Sequence, residues 1–233
     1  GIERALNQAE FSENSKVHII ANGSMNRNDL TRWEAEGHAS LQNFSYCDTP
    51  LHNLSGDYSL SRLHSKFDNV RAEFDYTNYI LKRKHGGPSS ARVTVSSITV
   101  DVEKHLVTLN DIKGTAWPAP IVRLFVPGVA DHVEQYRFHR PPSLSASGSF
   151  DTRLDGDQTY FTIYVSSPGS MNYDFIGEPL TLRRLKARVR IRNDRVDVNN
   201  LSFYTFQGAC SGNVRVYTSH PTHTRYQGEM QFR

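Results

Sequence analysis

Cys210 has two small residues on each side, in Gly208-Ala209-Cys210-Ser211-Gly212. That is the spacing of a strained strand-to-helix elbow, which would present a thiolate to an acyl group. His220 and His223 follow it, where a general base would be sought. Two features count against this chemistry. Asn213-Val214-Arg215-Val216-Tyr217 alternates like a strand instead of opening a helix, and no Asp or Glu lies between Cys210 and His220 to orient an imidazole. The two glycines then mark a tight turn between strands. His220 and His223 have a ligand-like separation, but Pro221 lies between them and no second ligand pair accompanies them, so they read as a surface loop. Asp151, Asp155 and Asp157 resemble half of a calcium loop without its closing Glu, and read as a solvated turn around Gly156. No phosphate-binding loop and no dinucleotide fingerprint occurs. Cys47 and Cys210 form no ligand motif; they are two buried thiols or one long-range disulfide. These residue types point away from an enzyme, with no metal or cofactor, and toward a surface that holds something.

The element best able to make such a surface runs from Leu185 to Val198. Leu185, Ala187, Val189 and Ile191 alternate with Lys186, Arg188, Arg190 and Arg192, and Val196 and Val198 resume the pattern after Asn193-Asp194. Successive strand side chains point to opposite faces, so one face is apolar and the other cationic. A turn at Asn193-Asp194 folds the segment into a hairpin with both apolar rows on one surface. Phe161, Ile163 and Val165 form a weaker row, because Tyr160 and Tyr164 make the opposite face nearly as apolar. Further strands are expected over 17–20, 58–63, 72–82, 92–102, 106–109, 201–206 and 214–218. The apolar phase slips between Val95 and Ile98, which predicts a bulge near Ser96-Ser97. Helix is expected only over 2–11 and, opened by Pro127-Gly128, over 129–137. The Ser/Ala/Gly-rich run 143–149 reads as a connector. Trp33, Trp117, Phe125, Tyr136 and Phe138 read as core, or as closure for the end of an open sheet.

A short signature recurs: apolar, any residue, Asn or Asp, apolar. It occurs at Leu41-Gln42-Asn43-Phe44, Leu51-His52-Asn53-Leu54, Phe67-Asp68-Asn69-Val70, Leu109-Asn110-Asp111-Ile112 and Val198-Asn199-Asn200-Leu201. The expectation is a strand that ends, turns on a residue able to adopt the left-handed conformation, and resumes as the next strand. Repeated use of one device implies a meandering sheet that grows by similar units. In 233 residues, 27 basic against 24 acidic side chains leave a mild +3. No aromatic residue interleaves the Arg188–Arg192 row within its own strand, so stacking on nucleic acid is not expected.

Residues 40–74, with "LQNFSYCDTPLHNLSGDYSLSRLHSKFDNVRAEF", and 180–232, with "LTLRRLKARVRIRNDRVDVNNLSFYTFQGACSGNVRV" and the closing "RYQGEMQF", resemble the strand-turn units of the AsmA-like superfamily, the repeating β-groove envelope proteins. The middle run "VTLNDIKGTAWPAPIVRLFVPGVADHVEQYRFHRPPSLSASGSFD" looks like a linking segment of large members of that group. The resemblance implies a curved, meandering antiparallel sheet, a β-groove with one or two short helices, that binds or conducts phospholipid or another acyl-chain ligand without catalysis. It implies a periplasmic or envelope location, an inner-membrane anchor outside this segment, and neighbouring β modules of a longer chain as partners. Leu185, Ala187, Val189, Ile191, Val196, Val198, Phe161, Ile163 and Val165 match its apolar groove positions. The expected organisation is a helix end or linker over 1–15, groove strands over 16–116, an irregular linker with a short helix over 117–150, and groove strands over 151–233. The rivals are a structural module with a closed core and an envelope hydrolase.

Overall fold

The computed structural model describes residues 9–29, 32–46, 49–77, 80, 89–125, 134–153, 157–175, 178–193, 195–206, 208–220 and 223–233. The chain is mainly β: one curved, unclosed antiparallel sheet, with one very short helix among the described elements. Its first half is β1 (Ala9–Met25), β2 (Trp33–Tyr46), β3 (Thr49–Ser61), β4 (His64–Asp75), β5 (Ser90–Asp101) and β6 (Leu106–Thr115). Helix α1 (Pro118–Phe125) and the two-residue β7 (Arg137–Phe138) come next. The second half is β8 (Ser143–Asp151), β9 (Tyr160–Ser166), β10 (Ser170–Phe175), β11 (Glu178–Arg192), β12 (Arg195–Thr205), β13 (Gly208–His220) and β14 (His223–Phe232). Spatial order follows chain order from β1 to β6, continues through β8, β9 and β11, and ends at β14, with β10 and β7 added beside β11.

The hairpin expected over 185–198 is present. Val189 faces Val198 and Ile191 faces Val196 in register, and the ladder closes at Arg192 and Arg195. Asn193 has φ 45°, as a two-residue hairpin turn requires, and its side-chain oxygen accepts from the Thr159 amide at 3.0 Å.

The recurrent signature does something other than turn the chain. Asn43, Asn69, Asp111 and Asn200 do take positive φ (54°, 54°, 52° and 51°), but each lies inside a strand. The register slips at all five copies. The reason is periodicity. An apolar residue followed by another three positions on would point to the opposite face of a regular strand. One extra residue, taken out of the pleat as a bulge, returns both to the same face. Asn and Asp are the non-glycine residues that best tolerate that conformation. At Leu51 to Leu54 the register slips instead between Leu51 and Asn53. Asn69 is further held by donating to Asp57 Oδ2 at 2.9 Å. Near Ser96-Ser97 the ladders on both sides of β5 keep their register. The phase slip seen there is matched by the Phe67/Val70 step on β4 and the Leu109/Ile112 step on β6. The three strands stay in step, and the shift appears against β3 and β8.

Several expectations are corrected. Ala9 to Ser15 belong to β1, not to a helix end, while residues 1–8 lie outside those described. The run 143–149 is not a connector: it is most of β8, hydrogen-bonded to β6 and β9, so the two groove parts form one sheet. Its alternation of Leu144, Ala146 and Gly148 with serines is a strand pattern written in small residues. At Gly148 smallness is required, because a Cβ there would collide with the Tyr160 carbonyl. The helix is at 118–125, where Pro118 takes the first helical position without losing a needed N–H. Of the 129–137 segment, residues 129–133 lie outside those described, and 134–137 form a turn and the start of β7.

Replacing Asn200 with Val should destabilise the chain by about 1–2 kcal/mol in urea unfolding, because a β-branched residue resists positive φ, whereas Asn200→Gly should stay within about 0.5 kcal/mol. Equal stability of the two variants would remove the bulge argument.

Candidate functional site

Antiparallel pairing lines up the apolar residues of successive strands into rows that cross the sheet. One row passes through Phe67, Ile98, Leu109, Gly148, Phe161, Ile191, Val196 and Val216. The next passes through Val70, Val95, Ile112, Ala146, Ile163, Val189, Val198 and Val214. A third contains Leu41, Leu54, Ala72, Val93, Gly114, Leu144, Val165 and Ala187. All three lie on one face.

Eight of the nine residues singled out in the sequence fall on these rows, and all eight are half-buried: Ala187, Val189, Ile191, Val196, Val198, Phe161, Ile163 and Val165. Leu185 is on the same side but is only 8% exposed, inside the core cluster. Sequence reasoning missed the contributions of β4, β6 and β8. In β4 and β6 the signal was the three-residue apolar step itself; in β8 the small side chains hid it.

The core cluster forms a band at one end of the strands. Phe44, Leu51, Phe74 and Ala91 are register neighbours on β2 to β5. Tyr76 and Trp117 continue the band at 0% and 1% exposure, followed by Phe138, Met171, Leu182, Leu185, Phe203 and Cys210. Helix α1 lies against β3 at this band. Trp117 and Phe138 thus close one margin of the apolar face, but the first two rows lie outside that cluster and the residues packed on it. Tyr136 is 44% exposed and stacks on Tyr173 at 5.0 Å. Trp33 lines a cavity of about 740 Å³ with Arg32, Arg62, Leu63 and His64, at the opposite strand ends of β1 to β4. The side chain of Phe125 is outside those described.

The reactive candidates are not brought together. Cys210 lies within β13, paired in register with Phe203 and Phe232, as a free thiol at 2% exposure. Burial pushes its pKa up, which disfavours a thiolate nucleophile. Gly212 is mid-strand, so only Gly208 opens a strand after a turn. Cys47 and the side chains of His220 and His223 lie outside the described residues. Asp151 is held well below the usual carboxylate range, first by its hydrogen bonds from Arg153; Asp155 is outside those described. Among the described residues no three His, Cys, Asp or Glu side chains cluster as metal ligands would.

The opposite face holds one surprise. The Arg row lacks aromatic neighbours along its own strand, yet β9 places Tyr164 beside Arg188 and Tyr160 beside Arg192. No helix of the described residues is long and apolar enough to cross a membrane. Searches of protein-family models, curated proteins and solved structures find no match to this chain.

At pH 8, alkylation of Cys210 in the native chain should run at least about tenfold slower than in the urea-unfolded chain, read by mass mapping of its peptide. Equal rates would put the thiol at the surface.

Proposed function

We propose that this chain is a non-enzymatic β-groove that binds or conducts lipid, as a segment of an AsmA-like envelope protein. The observation that carries this reading is the continuity of the apolar rows. They cross the sheet strand after strand, and apart from Leu109 and Val95, which are buried, their large members remain only half-buried. A monomeric protein rarely leaves so extended an apolar face unoccupied. Strands lie about 4.8 Å apart, so the eight strands that each row crosses offer an apolar track of roughly 35 Å. Each methylene taken out of water there contributes about 0.8 kcal/mol, so a few carbons outweigh the loss of lipid mobility.

In this reading β1 and β14, which have a single neighbour each in the sheet, pair with neighbouring β modules of a longer chain in the periplasm. An anchoring segment elsewhere in that protein would hold it at the inner membrane. The buried band at Trp117 favours one competing reading, a structural module whose apolar face is covered by protein.

A photo-crosslinking residue at Val189, and separately at Arg71 on the opposite face of β4, distinguishes them when the chain made in cells is freed of membranes at about 0.5 M salt before illumination. Lipid adducts at Val189 and not at Arg71 are the expected result. Protein-only adducts at Val189 would favour the structural module. Equal lipid labelling at both would mean general membrane contact and defeat the groove.

A further inference from the structure

On the face opposite the apolar rows, β11 presents Lys186, Arg188, Arg190 and Arg192, a row roughly 20 Å long at strand spacing. Elsewhere on this face three cations are neutralised by neighbours, Lys66 by Asp68 at 2.7 Å, Lys113 by Asp111 at 2.8 Å, and Arg92 by Glu73, while Arg71 stands singly and not in a row. Among the described residues the four β11 cations make no ion pair. The acidic side chain on this face of β12 is Asp197, which is engaged by Arg195 at 3.1 Å and Arg215 at 2.6 Å. On the other flank β9 supplies Thr162 and two tyrosines, and β8 supplies serines and Asp151, whose carboxylate is taken by Arg153 at 2.9 Å.

The tyrosines are arranged with the arginines. The guanidinium carbon of Arg188 lies 5.3 Å from the Tyr164 ring centroid, and that of Arg192 lies 5.5 Å from the Tyr160 centroid. Both rings stay substantially exposed, at 50% and 41%. The Tyr160 phenol is pulled below its usual pKa, first by its hydrogen bond with Thr162 and then by the charges of Arg190, Arg192 and Arg188, against the effect of burial. A solvated face needs neither a row of four cations whose one acidic neighbour on β12, Asp197, is already held by Arg195 and Arg215, nor half-exposed tyrosines beside every second arginine.

We propose that this face docks the chain on an anionic phospholipid surface. Unpaired arginines supply the attraction to phosphate headgroups, and tyrosine, apolar in its ring and polar at its tip, belongs at headgroup depth. Single-stranded nucleic acid fits less well, because bases need open ring faces and the guanidinium groups already occupy one face of each ring. Docking is separate from lipid held in the apolar rows and does not depend on it.

The test is co-sedimentation of the chain with phosphatidylcholine vesicles, with and without roughly a third phosphatidylglycerol. Binding is expected only to the anionic vesicles and should be lost at about 0.5 M salt. Each cation contributes about fivefold, so Arg188→Gln/Arg190→Gln/Arg192→Gln should bind about a hundredfold more weakly. Lys66→Gln/Arg92→Gln/Lys113→Gln changes the net charge equally but removes paired cations, and should bind as the parent does. Equal binding to neutral and anionic vesicles, or undiminished binding by the β11 triple variant, overturns the proposal. Binding of single-stranded oligonucleotide without binding of vesicles also overturns it and assigns the face to nucleic acid. Lipid capture at Val189 should survive in the β11 triple variant, so this face and the groove fail separately.

Discussion

A strand whose apolar residues step by three positions cannot keep them on one surface unless one residue leaves the pleat. Here the step occurs at Leu41/Phe44, Leu51/Leu54, Phe67/Val70, Val95/Ile98, Leu109/Ile112 and Val198/Leu201. Without bulges, half of each of these strands would turn its apolar side chains to the polar face. With them, the rows stay aligned through β2 and β3 together and through β4, β5 and β6 together. Neighbouring strands must carry the step at matching register positions, which couples their sequences across tens of residues. The apolar face is therefore a property of the ladder, not of any one strand.

The same device shapes the sheet. Bulges strengthen local twist and bend the strand that carries them. Glycines at Gly114 and Gly148 let adjacent backbones approach where a Cβ would meet the carbonyls of Arg92 and Tyr160. Large side chains on neighbouring strands half-bury one another along such rows, without a second layer. That accounts for Val189, Ile163 and their neighbours being neither exposed nor in the core. Among the described residues the second layer lies at one margin, where α1 rests against β3 and Trp117 and Phe138 join the buried band that holds Leu185 and Cys210.

What the sequence makes legible follows from side-chain size. The β11–β12 hairpin is readable because large aliphatic residues alternate with arginines and the turn residues are explicit. The signature at Asn43, Asn69, Asp111 and Asn200 is readable as positive φ, since few other residues tolerate it, but its role as bulge or turn depends on the partner strand. β8 is unreadable because its inward side chains include Ala146 and Gly148, and Gly148 is small for a reason that lies on β9. The Tyr–Arg contacts are unreadable because they join β9 to β11, more than twenty residues apart, and single-strand periodicity carries no information about neighbours.

The two edges are handled differently, and the difference bears on what the sheet does next. In β1, residues 12–15 leave the ladder; the Ser15 hydroxyl donates to the Asn43 carbonyl at 2.6 Å, and the Asn43 side chain donates to the Asn14 carbonyl at 3.2 Å. A bulge of this kind blunts an edge against further pairing. From Lys16 to Met25, however, β1 runs regularly, with Val17 57% and Ile19 60% exposed on the apolar face. At the far edge Tyr226 and Phe232 of β14 are 70% and 71% exposed. A closed apolar core would end its rows in polar or small residues at both edges. Here the second row ends small, at Gly228, but the first reaches β14 with Tyr226 and the third reaches β1 with Val17, leaving edges fitted to receive another strand rather than to repel one.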